Sequence, residues 1–159
     1  ISKIMGRHGV SLIVSGSFLA NNISDLDSKV FSLKYANEKK IPVTRNMIKR
    51  DFLPLVNSNT NFFTIIDTMN KWRLGICFVT KDSQLLAVIS DGDVRRAFLK
   101  YQRDVFNVQA EAISNADFYY AQEDQILEEV YYELTKLQKP ISVIPILSGE
   151  NFIGALSLK

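Results

Sequence analysis

Leu85-Leu86-Ala87-Val88-Ile89-Ser90-Asp91-Gly92-Asp93-Val94-Arg95-Arg96-Ala97-Phe98 decides how the chain is read. An apolar strand runs into a polar turn and then a helix, because Val94, Ala97, Phe98 and Tyr101 recur at i, i+3, i+4 and i+7. Ser90 and Asp91 stand where the first free N–H groups of that helix need acceptors. The junction presents a hydroxyl, a carboxylate three residues on, and two arginines. Such a set can hold a phosphate and a ribose together, since helix N-termini favour anions and carboxylates accept from diols. The same set serves equally well as a helix cap beside a solvated charged face.

Composition narrows the surroundings of this junction. At 159 residues the chain suits one domain or two small fused ones, with room for a real core. An apolar fraction of 47% and a charged fraction of 23% are ordinary for a globular protein, and the net charge of +2 selects no partner. Lys and Arg are scattered, so neither a nucleic acid nor a membrane surface is expected as a partner. One cysteine, Cys77, excludes an internal disulfide and a cysteine-based zinc site, and its apolar neighbours Ile76, Phe78 and Val79 mark it as a core residue. With His8 the only histidine, neither a catalytic triad nor a histidine-rich metal site is expected. No apolar run reaches the roughly 20 residues of a membrane span, and no signal-peptide pattern is evident, so the expected location is cytoplasmic. The chain reads as a fragment of a longer protein.

In chain order, Val10 to Val14 reads as a buried strand and Ser15-Gly16-Ser17 as a turn, with Ser24 capping a helix that carries Leu26, Val30 and Leu33. Ile41-Pro42-Val43-Thr44 is extended, because proline disfavours helix at the residue before it. Residues 1–43 are taken as an N-terminal extension or the tail of a preceding domain. Asp51 to Val56 is a short extended segment interrupted by Pro54, as at a sheet edge. Phe62, Ile65, Ile66, Met69 and Trp72 form a helical stripe that Gly75 ends, and strands follow at Ile76 to Thr80 and up to Ser90.

The second half repeats this order. Glu123 and Asp124 open a helix with Ile126, Leu127, Val130, Tyr131, Leu134 and Leu137 on one face, stopped by Lys139-Pro140. Glu128, Glu129 and Glu133 form its solvated face. Ile141 to Leu147 and Phe152 to Leu158 are strands joined by a turn. The two hairpins superpose at a constant offset of 67 positions, placing Ile76 on Val143, Phe78 on Pro145, Ala87 on Gly154 and Ser90 on Ser157. Each copy is too small to bury its own sheet face, so sheet is expected to pack on sheet.

From Thr44 onward the chain resembles tandem CBS domains, the paired repeat also called a Bateman module. The family's repeat ends in a glycine, two apolar residues, Ser or Thr, and an Asp three residues later. Ala87-Val88-Ile89-Ser90-Asp91-Gly92-Asp93 fits with alanine for the glycine, and Gly154-Ala155-Leu156-Ser157 fits the start of the second copy. A proline typical of the last crossing is present as Pro145 and replaced by Phe78 in the first copy. The implied fold class is α/β of the mixed α+β kind: two repeats, 44–104 and 105–159, of small sheet plus helices about a pseudo-twofold axis. The second repeat is taken as truncated before its last helix.

Ser90-Asp91-Gly92-Asp93-Val94-Arg95-Arg96 also resembles the signature of CBS pairs attached to sugar-phosphate isomerases of the arabinose-5-phosphate type, or to sugar-nucleotide nucleotidyltransferases. The resemblance implies a regulatory module that senses a nucleotide (AMP, ADP or ATP) or a CMP-sugar and controls an attached enzyme. It implies no cofactor, no metal and no catalysis by this fragment, and self-association as a dimer. Carried across by motif position, Ser90 would bond phosphate and Asp93 the ribose diol, with Ser157 the matching hydroxyl of the second cleft. Arg95 and Arg96 would add charge against a phosphate or sugar acid, or else remain solvated or face a dimer partner. Backbone near Leu55, within Leu53 to Val56, and near Asp117 to Tyr120 would meet the base. The aromatic run Phe118-Tyr119-Tyr120 would fill a cleft, reshape it or stack a base. A dimerisation module with empty clefts is the alternative.

Overall fold

A computed structural model describes residues 2–5, 11–14, 40–137 and 140–158. The chain divides into two units, Ile1–Lys39 and Lys40–Lys159. In the first, β1 (Ser2–Met5) pairs antiparallel with β2 (Ser11–Val14), Ser2 opposite Val14. β2 covers most of the strand expected there. The expected turn at Ser15-Gly16-Ser17 and the helix after Ser24 lie outside the described residues.

The second unit is built on two hairpins. β5 (Ile76–Lys81) and β6 (Gln84–Ser90) form one, β8 (Val143–Ser148) and β9 (Asn151–Ser157) the other. Ile76 faces Ser90 and Val143 faces Ser157, and every partner of the second hairpin lies 67 positions beyond its counterpart in the first. Even the irregularity repeats, between Val79 and Thr80 and between Ile146 and Leu147. Three short strands precede these hairpins. β3 (Ile48–Lys49) joins the edge of β9, and β4 (Leu55–Val56) runs parallel to β5; β7 (Ala121–Gln122) runs parallel to β8. The sheets therefore read β4-β5-β6 and β3-β9-β8-β7.

The parallel ladders differ between copies for a covalent reason. The Phe78 N–H donates to the Pro54 carbonyl at 2.9 Å, which sets Leu55 opposite Phe78. Pro145 occupies the Phe78 position and has no N–H to give. The second copy pairs Ala121 with Ile146 instead, and Glu123 N–H donates to the Leu147 carbonyl at 2.9 Å.

α1 (Phe62–Trp72) buries Phe62, Ile65 and Met69, as its stripe predicts. Its cap is Asn61, whose side chain accepts from Thr64 N–H at 2.9 Å. The helix ends on Arg73 in the left-handed region at φ 55, ahead of Gly75, which also has positive φ. α2 (Asp91–Tyr101) follows β6, and a 3-10 segment, Gln102–Asn107, leads on to α3 (Ala110–Ile113). α4 (Leu127–Lys136) begins later than expected: Glu123 and Asp124 form a turn, and Ile126 is the N-cap without a side-chain bond. Asp51 and Phe52, expected to be extended, belong instead to a 3-10 turn, Arg50–Phe52.

The segment that precedes each repeat is built into the other. Val43 N–H donates to Gln125 O at 3.0 Å, Leu127 N–H donates to Ile41 O at 2.9 Å, and Ile48 faces Ala155 on β9. In the mirror arrangement Ala110 N–H donates to Thr60 O at 2.8 Å, Phe62 N–H donates to Val108 O at 3.0 Å, and Asn115 bridges Val88 on β6. This exchange is the pseudo-twofold relation in hydrogen bonds. Between the facing sheets lies one shared cluster, with Leu53, Phe78 and Val88 from the first copy and Val143, Phe152 and Ala155 from the second. Phe78 and Phe152 meet at 5.0 Å between ring centroids. Burying a phenylalanine stabilises by about 1.5–3 kcal/mol, so this pair is a main tie between repeats.

Candidate functional site

Ser90 ends β6 and is the N-cap of α2, so one residue serves strand, cap and site. Asp93, three residues on, is the other half of a capping box. Asp93 Oδ2 accepts from Ser90 N–H at 2.8 Å and from the Ser90 hydroxyl at 2.5 Å, while Asp93 N–H donates to Ser90 Oγ at 3.3 Å. Oδ1 accepts from Arg96 Nη2 at 2.6 Å. Burial pushes the Asp93 carboxyl up, but the Ser90 bonds and the Arg96 guanidinium together outweigh it and hold the group below the usual carboxylate range. Asp91, expected to share the capping, instead gives its N–H to Gly75 O at 3.2 Å, and its carboxylate lies beside Gly75. A Cβ at Gly75 would sit 3.1 Å from Asp91 Oδ2, and the positive φ there also favours glycine.

Ser90, Asp93 and Arg96 are therefore one connected group. Arg95 is exposed and joins no ion pair among the described residues. Leu55 is half-buried on β4, packed against the inter-sheet cluster between buried Pro54 and Val56. Ser157, half-buried at the end of β9, holds in the second copy the place of Ser90 in the first.

Asp117 to Tyr120 opens with an Asx turn: Asp117 N–H donates to Asn115 Oδ1 at 2.9 Å, and Asn115 Nδ2 donates to Asp117 O at 3.0 Å. Phe118 is partly buried against the inter-sheet cluster and meets Tyr120 edge-on at 6.2 Å, while Tyr120 is half exposed. Tyr119 donates to Glu133 Oε2 at 2.6 Å. Burial and that carboxylate push its phenol well above the usual range.

Two hollows flank α2, and neither was evident from sequence. One of about 340 Å³ lies between the end of α1 and the start of α2, edged by Asn70, Arg73 and Asp91. The other, about 130 Å³, opens beside Asp93 between α2 and α3. Its lining residues Arg96, Lys100 and Tyr101 share a helix face with Asp93, a spacing visible in the sequence; Ala112 and Ile113 arrive from α3, which it does not reveal. Among the described residues no group of three His, Cys, Asp or Glu could hold a metal, and no helix is long and apolar enough to cross a membrane.

No family model matches the chain. A Haemophilus influenzae protein named "Probable arabinose 5-phosphate isomerase" is 28% identical over 104 residues, which is 65% of this chain and 30% of that protein. An uncharacterized protein of Rickettsia prowazekii is 33% identical over 109 residues, 68% of this chain and 33% of that protein. The chain spans about a third of the length of these curated relatives. Among solved structures, a CBS domain-containing protein from Bacillus anthracis superposes with TM-score 0.66 at 16% identity, covering 77% of this chain and 91% of that one. A CBS-pair protein solved in complex with AMP gives TM-score 0.62 at 17% identity, covering 74% and 90%. A CBS domain pair in complex with 5′-methylthioadenosine and S-adenosyl-L-methionine gives 0.63 at 16%, covering 75% and 90%. With its two 67-offset hairpins, exchanged leading segments and shared inter-sheet core, the unit from Lys40 onward has the fold of a CBS-domain pair.

Proposed function

We propose that this unit is a nucleotide-sensing regulatory module, and that the enzyme it controls is a sugar-phosphate isomerase. The Ser90–Asp93–Arg96 group at the N-terminus of α2 carries the reading. An incoming phosphate meets the positive N-terminal end of α2, and the Ser90 hydroxyl turns its proton from Asp93 to a phosphate oxygen. Asp93 keeps the Ser90 N–H and gains the ribose diol on Oδ1, where Arg96 now sits. Support comes from the nucleotide-type ligands in two solved structures of the same fold and from the name of the Haemophilus relative. A ligand that binds one arrangement of the repeats more tightly shifts the population toward it, which is all regulation requires. The module itself does no chemistry in this reading.

The test is thermal unfolding with AMP, ADP, ATP, CMP, a CMP-linked sugar acid and S-adenosylmethionine, on wild type and Asp93→Ala. A ligand at ~100 times its dissociation constant stabilises by about 2.7 kcal/mol. A rise in Tm with one nucleotide, lost in Asp93→Ala, supports the reading; no rise with any of them removes it. A second reading, an association module without ligand, is favoured by the exposed apolar side chains on the helices: Phe63 is 69% and Leu99 80% exposed. Sedimentation of wild type and Leu99→Glu checks that one, with a lighter species expected from the variant.

A further inference from the structure

The two carboxylate oxygens of Asp93 are used from opposite sides. Oδ2 is held by Ser90, the phosphate side of the proposed site, whereas Oδ1 meets Arg96 at 2.6 Å. Beyond Arg96 opens the 130 Å³ pocket, several times the roughly 30 Å³ share of one water. Asp93, Arg96 and Lys100 fall at i, i+3 and i+7, on one face of α2. Arg96 and Lys100 are like charges four apart, a spacing that destabilises a helix unless something offsets it. Arg96 is answered by Asp93. Among the described residues Lys100 has no carboxylate partner, and its ammonium lies over the Tyr101 ring at 4.7 Å. Tyr101 donates to Ala112 O at 3.4 Å, which ties the far wall of the pocket to α2. Ala112 and Ile113 make that wall apolar.

We propose that the site continues past Asp93 into a second anion subsite, in which Arg96 and Lys100 take a phosphate or carboxylate carried on the opposite side of the ribose from the 5′-phosphate. The proposal rests on the nucleotide reading above and narrows it to ligands with two separated anionic groups. An anion there neutralises Lys100 and receives Arg96, which the ribose displaces from Asp93 Oδ1, while the ribose hydroxyl that carries no phosphate stays on Asp93.

The experiment is titration calorimetry on the 159-residue chain with AMP, ADP, adenosine 3′,5′-bisphosphate and adenosine 2′,5′-bisphosphate. ADP is the control for charge alone, because its extra phosphate extends on the Ser90 side. The expected result is that one bisphosphate binds about tenfold more tightly than AMP, the gain from one charge-assisted contact. Lys100→Ala, at an exposed position, removes that gain and leaves the ratio of ADP to AMP affinity as it was. Equal affinity for AMP and both bisphosphates overturns the subsite, as does a gain that survives Lys100→Ala. If AMP binds in either case, the nucleotide reading stands and only the subsite fails. No binding by any of the four overturns the subsite and leaves the nucleotide reading to the wider panel above.

Discussion

Gly154 lies against the carbonyl oxygen of Ile48 so tightly that a Cβ added there would come within 2.5 Å of it. The contact is made where β3 crosses onto β9, and the opposing atom is backbone, so no rotamer change relieves it. Gly154→Ala is expected to destabilise the unit by about 1–3 kcal/mol, the usual cost of overpacking, read as a lower urea midpoint. The matching position in the first copy is Ala87, crossed by Asn115, with Ser114 where the second copy has Met47. Ala87→Gly is expected to cost only about 1 kcal/mol, through lost burial and backbone entropy. Equal costs at the two positions would contradict the crossing as the reason for Gly154.

The capping box has a pH signature. Asp93 is held below its ordinary value in the folded state, so its contribution is present above the unfolded value of about 3.9 and is lost as pH falls through the folded one. Without ligand, Ser90→Ala is expected to lose about 0.5–2 kcal/mol at neutral pH. The stability gap between wild type and Asp93→Asn, followed by urea titration, should close as pH drops below about 4. A gap that widens on acidification would reverse the assigned shift.

The inter-sheet tie can be measured against the surface. Phe78→Ala is expected to cost about 3–5 kcal/mol, and Leu99→Ala about 0.5 kcal/mol or less, since Phe78 is fully buried and Leu99 is 80% exposed. A double-mutant cycle between Phe78 and Phe152 should return a coupling of about 0.5–1.5 kcal/mol across the repeats.

Cys77 reports opening of the first sheet. Its thiol donates to Pro54 O at 3.3 Å, and burial pushes it up to about 12 despite the opposing Phe78 N–H. At pH 8 it is a neutral thiol, so Ellman's reagent should react only as fast as the sheet opens, and denaturant should accelerate it. Reaction at the rate of a free thiol in native buffer would place Cys77 outside the core.

The hairpins and α1 were legible because each rests on local chemistry: alternating apolar residues, turn residues between them, and a 3.6-residue stripe behind Asn61. Ser90 and Asp93 were legible for the same reason, since a capping box is spelled within four residues. The start of α4 was misread because Glu123 and Asp124 resemble a first turn, whereas the bonds of Ile41 and Val43 set the boundary from a distant part of the chain. Gly75 was credited with ending α1, but Arg73 takes the left-handed cap, and Gly75 is required by its approach to Asp91. Arg95 and Arg96 were read together, although the i, i+3 spacing from Asp93 already singles out Arg96. Helix geometry alone turns it toward Asp93 and leaves Arg95 in solvent.

The exchange of leading segments makes the boundary between the repeats topological rather than separable. A chain holding only one copy would carry a strand and turn with nothing of its own to pair with, together with an edge and a helix start that lack theirs. Two such chains could satisfy each other by the bonds that now join residues 41–49 to the second copy and 108–115 to the first. The present unit is, in bonding terms, a swapped homodimer whose two chains have been made one.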